Sequence, residues 1–313
     1  MVSLRTRGGT EVREVRLWIS DKALRGRVDA CLGEEVGTTT SEAATANAVV
    51  LPPEQCDVDV LKLLADGALV QLTTSGIDAL PPGARLRADL TWASAKDAFA
   101  GPVAEHVLML ILASLRDVKR DARASSWGPS HGKSLFGRRV TVVGGGAIAR
   151  SLARLLQPFE VLLTVVRAGG GAVPFADRTT RDLLGGLAKA EVVVLALPLT
   201  DATRNLLNAS VLSHLAPSTV IVNVSRGAII DTDALVSALD AGRLGFAALD
   251  VVEPEPLPTD HPLWNHPRAL VTPHTANPPL VAQERLVELV VDNVRRWAFG
   301  ERLRNPFNPL KGY

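Results

Sequence analysis

Two spacings of apolar residues alternate along the chain. Short apolar runs at 12–19, 48–51, 68–72, 139–143, 162–166, 192–197, 220–224 and 246–251 read as strands buried on both faces. Between them the period lengthens to that of a helix. Residues 21–32 and 58–64 follow it, Ile148, Leu152, Leu155 and Leu156 share one predicted helical face, and 233–239 is a helix that Asp231 and Thr232 start and Ala241-Gly242 stops. Repeated strand–helix alternation predicts an α/β protein with parallel sheets, because each return to a parallel strand needs a crossover. Two helices stand apart. Residues 103–119, VAEHVLMLILASLRDVK, carry too few polar positions for a one-sided surface helix and predict one at a domain or subunit interface. Residues 281–299 are amphipathic, with Gly300 as a C-cap, and lead into a polar tail ending at Tyr313. A polar leader precedes Val12 and predicts a mobile segment.

At 313 residues the chain is long enough for two cores. Its 47% hydrophobic and 21% charged residues exclude a disordered chain, and a net charge of +1 gives no global field toward nucleic acid or an anionic membrane, which points to a small-molecule partner. The longest apolar run, 107–115, is too short to span a bilayer, and charges interrupt the N-terminal stretch where a signal peptide would need an apolar core, so the expected location is cytoplasmic. Cys31 and Cys56 lack metal or redox spacing and read as buried packing thiols; Glu105 and His106, adjacent on a helix, point different ways and read as structural rather than as metal ligands.

The first chemistry is the turn in TVVGGGAIARSLARLL. Gly144 and Gly146 occupy the first two positions of a G-x-G-x-x-G/A motif, with Ala149 as the small third residue. A strand feeding a glycine turn and then a helix presents free N–H groups and the positive end of the helix dipole to a pyrophosphate. At the end of the next strand, where an acidic residue would accept from a ribose 2′-OH, stands Arg167, followed by Ala168-Gly169-Gly170-Gly171. A guanidinium and an open loop suit a 2′-phosphate, so NADP is favoured, with NAD possible.

Later strands end in polar loops on the same ligand-binding edge: Pro198-Leu199-Thr200, Ser225-Arg226-Gly227, Glu253-Pro254-Glu255-Pro256 and Thr272-Pro273-His274-Thr275. Arg226 offers a fork for a substrate carboxylate, His274 an imidazole that can protonate a carbonyl oxygen, and Glu255 a carboxylate to orient that ring. In the first half, Thr73-Thr74-Ser75-Gly76-Ile77-Asp78 closes another strand, and the backbone near Gly76 can hold an anion.

The stretches VAEHVLMLILASLR, the glycine turn, LPLTDATRNLLN, NVSRGAIIDTDALVSAL, GFAALDVVEPEPLPTDHPLW and VTPHTA, in this order, resemble the D-isomer-specific 2-hydroxyacid dehydrogenase family. The resemblance implies two Rossmann-like/flavodoxin-like domains with parallel sheets, the cofactor domain (98–277) inserted into a substrate domain (1–97 plus 278–313). It implies Arg226 as carboxylate anchor, His274 as acid/base and Glu255, rather than Glu253, as its partner. Cofactor contacts would come from Gly144, Gly146, Ala147, Ile148, Arg167, Leu197, Pro198, Thr203, Val224, Ser225, Asp250 and His274; substrate contacts from Ser75, Gly76, Ile77 and Ser94; and no metal is implied. The expected activity is NAD(P)H-dependent reduction of glyoxylate, hydroxypyruvate or a similar 2-oxo acid to a D-2-hydroxy acid. A homodimer built on the long helix and the loop after it is also implied. The alternative class is a non-enzymatic dinucleotide sensor like the C-terminal-binding corepressors, which share the fold and the triad. Three residues depart from the family pattern: Ser94 replaces a common asparagine, Asp97 a glycine, and Glu160 a glycine before the second strand of the dinucleotide unit.

Overall fold

The computed structural model describes residues 4–7, 10–33, 36–129, 131–169 and 171–310. It forms two compact units, Ala100–Pro278 and a unit made of Met1–Phe99 with Pro279–Tyr313.

In the first unit, β1 (Leu4–Arg7) and β2 (Thr10–Arg13) pair antiparallel, so these residues of the polar leader form a two-stranded ribbon. Then follow β3 (Val15–Ile19), α1 (Lys22–Asp29), β4 (Gly37–Thr40), β5 (Ala48–Leu51), α2 (Val58–Lys62), β6 (Leu69–Leu72), α3 (Pro82–Arg85) and β7 (Thr91–Ala93). The Asp21 and Asp57 side chains cap α1 and α2 by accepting from the Leu24 and Val60 amides, which is why these helices begin where they do. The sheet order is β4-β3-β5-β6-β7, all parallel, a doubly wound arrangement of the flavodoxin kind.

The second unit opens with α4 (Ala100–Leu115). The predicted single helix breaks at Asp117, which is left-handed at φ 52°, and α5 (Val118–Asp121) follows. Next come β8 (Arg139–Val143), α6 (Ala147–Leu156), β9 (Leu162–Val166), β10 (Arg178–Thr180), α7 (Leu183–Leu187), β11 (Val192–Leu195), α8 (Ala209–Leu212), β12 (Val220–Asn223), α9 (Thr232–Asp240), β13 (Phe246–Leu249) and β14 (Ala269–Val271). All seven strands are parallel, in the order β10-β9-β8-β11-β12-β13-β14. The order reverses between β8 and β11. At such a switch point the loops diverge to opposite faces, and open α/β sheets bind ligands there, beyond the carboxyl ends of the strands. The buried face of α6 is Ala149, Leu152 and Leu156; Ile148 and Leu155 lie on its more open side, so the predicted face is rotated toward the alanines that let helix and sheet approach.

The chain returns to the first unit as α10 (Pro279–Ala298), ended by Gly300 in the left-handed conformation. Leu286, Val290, Val294 and Trp297 of α10 join Leu17, Ile19, Val50 and Leu69 in one core, so this unit is stitched from both ends of its sequence. The buried amide of Asn293 bonds Gln71 and the Arg304 backbone, satisfying its own polar atoms inside that core. Cys56 is buried, and desolvation, with Glu54 and Asp57 adding to it, pushes its thiol up to about 12; Cys31 is exposed, contrary to expectation, because α1 has already ended and turned into a loop. Glu160 stands at φ 52°, so the site where a glycine is common does require a left-handed backbone, at a cost on the order of 1 kcal/mol. Among the described residues no helix is long and apolar enough to cross a membrane.

Candidate active site

Everything of chemical interest in the second unit lies on the carboxyl edge of its sheet. β8 ends in the glycine turn, and Gly144 is at φ 110°, with a Cβ there reaching within 2.1 Å of the Ala196 carbonyl oxygen. Only glycine lets β8 and β11 part this closely. α6 starts at Gly146 with no side-chain cap, so its first N–H groups are open to an anion. Ala147 and Val224 are buried, which leaves their backbone as the available part, while Ile148 is half-buried.

Arg167 follows β9. Its amide is held by the Thr180 carbonyl, its side chain crosses Gly145, where a Cβ would meet Arg167 Cδ at 3.1 Å, and its guanidinium ends beside Gly169. Arg181, one residue past β10, reaches the same spot: its Nη2 donates to the Gly169 carbonyl at 3.4 Å. Neither guanidinium is paired with a carboxylate among the described residues. Sequence reasoning missed Arg181 because β10, RTT, is an edge strand without an apolar run. Gly170, part of the predicted loop, lies outside the described residues, as does Tyr313.

After β11 the chain passes through Leu197 and Pro198. The Ser225 hydroxyl pins this passage, donating to the Leu195 carbonyl at 2.7 Å and accepting from the Leu197 amide at 3.0 Å. The Thr203 hydroxyl closes the loop on the Pro198 carbonyl at 2.8 Å. Arg226 follows, half-buried, with Nη1 on the Ser225 carbonyl at 2.7 Å. A Cβ at Gly227 would sit 1.9 Å from the Val252 carbonyl, so glycine there lets the Arg226 loop and the segment after β13 press together. The Thr232 hydroxyl, at the start of α9, holds that segment at the Glu253 carbonyl.

A short contact on this edge joins the two segments that follow β13 and β14. Nδ1 of His274 lies 2.5 Å from Oε1 of Glu255, both side chains about half exposed. An ionised carboxylate only accepts, so Nδ1 carries the proton and the outer nitrogen, Nε2, is left for chemistry. Glu253 is bound only through its carbonyl in this arrangement. His274 itself is left-handed, at φ 53°, a conformation that persists in a bulky residue only where its surroundings impose it.

Asp250 imposes it. Its side chain is 1% exposed. Its carboxylate accepts from Thr272 Oγ1 at 2.5 Å, from the Thr275 amide at 2.9 Å and from the Ala276 amide at 3.0 Å, while its carbonyl accepts from the His274 amide at 2.8 Å. Burial alone would raise the carboxyl's pKa; the hydrogen bonds, from His106, Thr272, Thr275 and Ala276, outweigh it and hold the group below the usual carboxylate range. The contribution of His106 was invisible in the sequence, since its partners sit far along the chain: Nε2 is 3.0 Å from Thr272 Oγ1 and 3.2 Å from Asp250 Oδ1. Lys119 tethers the approach to β14 by donating to the carbonyls of Trp264, His266 and Ala269, and desolvation lowers its pKa.

In the first unit, Ser75, Gly76 and Ile77 follow β6, with the Thr74 hydroxyl on the Gly76 carbonyl, and Ser94 follows the neighbouring β7. The two segments therefore share one sheet edge and are joined where the Ala95 amide meets the Thr74 carbonyl at 2.9 Å. Ser75 is exposed; Ser94 is buried and its amide is held by the Asn305 carbonyl.

Residues 106–276 match the model of the D-isomer specific 2-hydroxyacid dehydrogenase NAD binding domain. The chain is 38% identical over 252 residues to an uncharacterized protein in the proB 3′ region of Corynebacterium melassecola, covering 78% of this chain and 83% of that one. It is 32% identical over 204 residues to a glyoxylate reductase of Thermofilum pendens, 61% of this chain and 60% of that one. A D-isomer specific 2-hydroxyacid dehydrogenase from Xanthobacter autotrophicus Py2, crystallised in complex with NADPH and MES, superposes with a TM-score of 0.80 at 25% identity, over 96% of this chain and 100% of that one. The chain belongs to the D-isomer specific 2-hydroxyacid dehydrogenase family. It is an NAD(P)-dependent oxidoreductase acting on CH–OH donors. The uncapped start of α6 and the glycine cradle fit the pyrophosphate of such a cofactor.

Proposed function

We propose that the chain reduces a small 2-oxo acid, of the glyoxylate or hydroxypyruvate type, to the D-2-hydroxy acid, with Arg226, Glu255 and His274 as the catalytic set. The observation that carries this reading is the His274–Glu255 contact on the sheet edge that also bears Arg226 and the glycine turn. When bound, the reduced nicotinamide supplies hydride to C2 of the acid. Arg226 binds the substrate carboxylate through its guanidinium fork and so orients C2. His274 gives its Nε2 proton to the oxygen at C2, and Glu255, accepting from Nδ1–H, stabilises the imidazolium before transfer and fixes the ring plane. Initial rates with a panel of 2-oxo acids and NADPH test the reading; absence of turnover with every acid, with NADPH binding intact, sinks it and favours the dinucleotide-sensing alternative.

The cofactor preference rests on Arg167, joined by Arg181, flanking Gly169 without a carboxylate partner. Both are suited to a 2′-phosphate, and two adjacent cations gain most from a dianion. Arg167→Ala should weaken NADPH about 10- to 100-fold, the loss of one charge-assisted contact of about 1.5–3 kcal/mol, and change NADH binding little. Cofactor titrations by fluorescence check this, and a wild-type protein that prefers NADH rules it out.

Met109 and Val118 on α4 and α5, with Trp127 and Phe136 in the segment after them, are exposed large apolar side chains. Such a group suits a homodimer interface. Light scattering should give twice the chain mass; a monomer at micromolar concentration refutes the assignment.

A further inference from the structure

We propose that His106 is a positioning residue for the reaction: through Asp250 it holds the 272–276 turn in the shape that aims His274 at its substrate. This rests on the reading of His274 as the acid/base.

The chemistry of the contact assigns its direction. The Asp250 carboxylate, held ionised by its surroundings, has no proton to give, and the Thr272 hydroxyl hydrogen is already committed to Asp250 at 2.5 Å. Nε2 of His106, 3.2 Å from Asp250 Oδ1 and 3.0 Å from Thr272 Oγ1, is therefore the donor to both. The imidazole is 14% exposed, so water does not readily substitute for it.

The geometry then shows what the donor does. Asp250 binds three consecutive amides: its carbonyl takes that of His274, and its two carboxylate oxygens take those of Thr275 and Ala276. A chain bound through three successive N–H groups to one residue must curl around it, and the left-handed His274 lies in that curl. Each carboxylate oxygen must keep its own amide for the curl to hold, so the rotation of the carboxylate about Cβ–Cγ has to be fixed. Thr272 cannot fix it alone, being part of the same turn and free to move with it. His106 belongs to α4, 166 residues away from Thr272 in the chain, and reaches the carboxylate from outside the 250–276 segment. It is an external reference for the rotation.

Three full-length variants test this. His106→Leu removes the donor. His106→Asn keeps a polar group but is too short to reach Asp250, and serves if the leucine protein does not fold. His106→Gln restores an N–H near the position of Nε2. The readouts are kcat, KM for the 2-oxo acid and the NADPH dissociation constant. Leu and Asn should lower kcat about 10- to 100-fold, the scale of an ångström-level misplacement of a reacting group, with the NADPH dissociation constant within about twofold of wild type, and Gln should recover most of kcat. Folded Leu and Asn variants with wild-type kcat overturn the proposal, as does a Gln variant no better than Asn. His274→Ala run alongside separates the two ideas: if it too keeps wild-type turnover, the acid/base assignment has failed, whereas an inactive His274→Ala beside fully active His106 variants removes only the role of His106.

Discussion

His274→Ala is expected to lower kcat by about 10²- to 10⁴-fold, the usual worth of a positioned proton donor, while leaving NADPH affinity near its wild-type value. In the proposed reaction the proton for the C2 oxygen comes from His274. Nδ1 lies 2.5 Å from Glu255 Oε1, which leaves Nε2 as the nitrogen that the proposal pairs with the substrate. Removing the ring removes donor and orientation together. Glu255→Gln should lose less, because an amide can still accept from Nδ1–H through its oxygen but gives no charge to stabilise the imidazolium. Single-turnover rates with saturating NADPH separate chemistry from binding. Equal single-turnover rates for wild type and His274→Ala would remove His274 from the chemistry.

The second large effect is on stability. Asp250→Asn keeps the shape of the side chain but turns one acceptor oxygen into a donor that must face the amide of Thr275 or Ala276. Loss of the charge-assisted bonds and an unsatisfied buried donor should cost about 3 kcal/mol, which lowers Tm by roughly 6–12 °C in a unit of this size. The pH dependence follows from the depressed pKa. Because the carboxyl is more acidic folded than unfolded, its ionised form stabilises the fold fully above the ordinary carboxylate range. That contribution fades as pH falls through the folded value. The difference in unfolding free energy between wild type and Asp250→Asn should thus be largest near neutrality and shrink toward pH 3. A difference that stays constant from pH 7 to pH 3 contradicts the linkage.

The parallel sheets and the places of most of their strands along the chain were legible in the apolar runs, because strands buried on both faces must be apolar throughout, whereas the spatial order of the strands was not. The short edge strands were not: GTTT of β4 and RTT of β10 expose much of their surface and carry no such run. The site divided in the same way. Arg226, Glu255 and His274 each end a visible strand, so their common edge followed from topology. His106 did not, since a helical residue read by its neighbours shows no sign of a carboxylate at the end of β13, and Arg181 was hidden by the polar strand before it. The left-handed backbone of Glu160 could be anticipated from a missing glycine, whereas that of His274 depends on Asp250 and only the assembled loops reveal it.

The stitched core of the first unit has a consequence for biosynthesis. Leu17, Ile19 and Val50 find their apolar partners Val290, Val294 and Trp297 only when α10 has been made. At about 5–20 residues per second, the ribosome takes on the order of 10–40 s to travel from Phe99 to Ala298. During that interval Ala100–Pro278 is completed without interruption and can close its own core, while the sheet that preceded it has only α1 and not α10 to cover that apolar face. The inserted unit is therefore the first to mature although it is not the first to emerge, and the nascent sheet is the part of the molecule with most need of a chaperone.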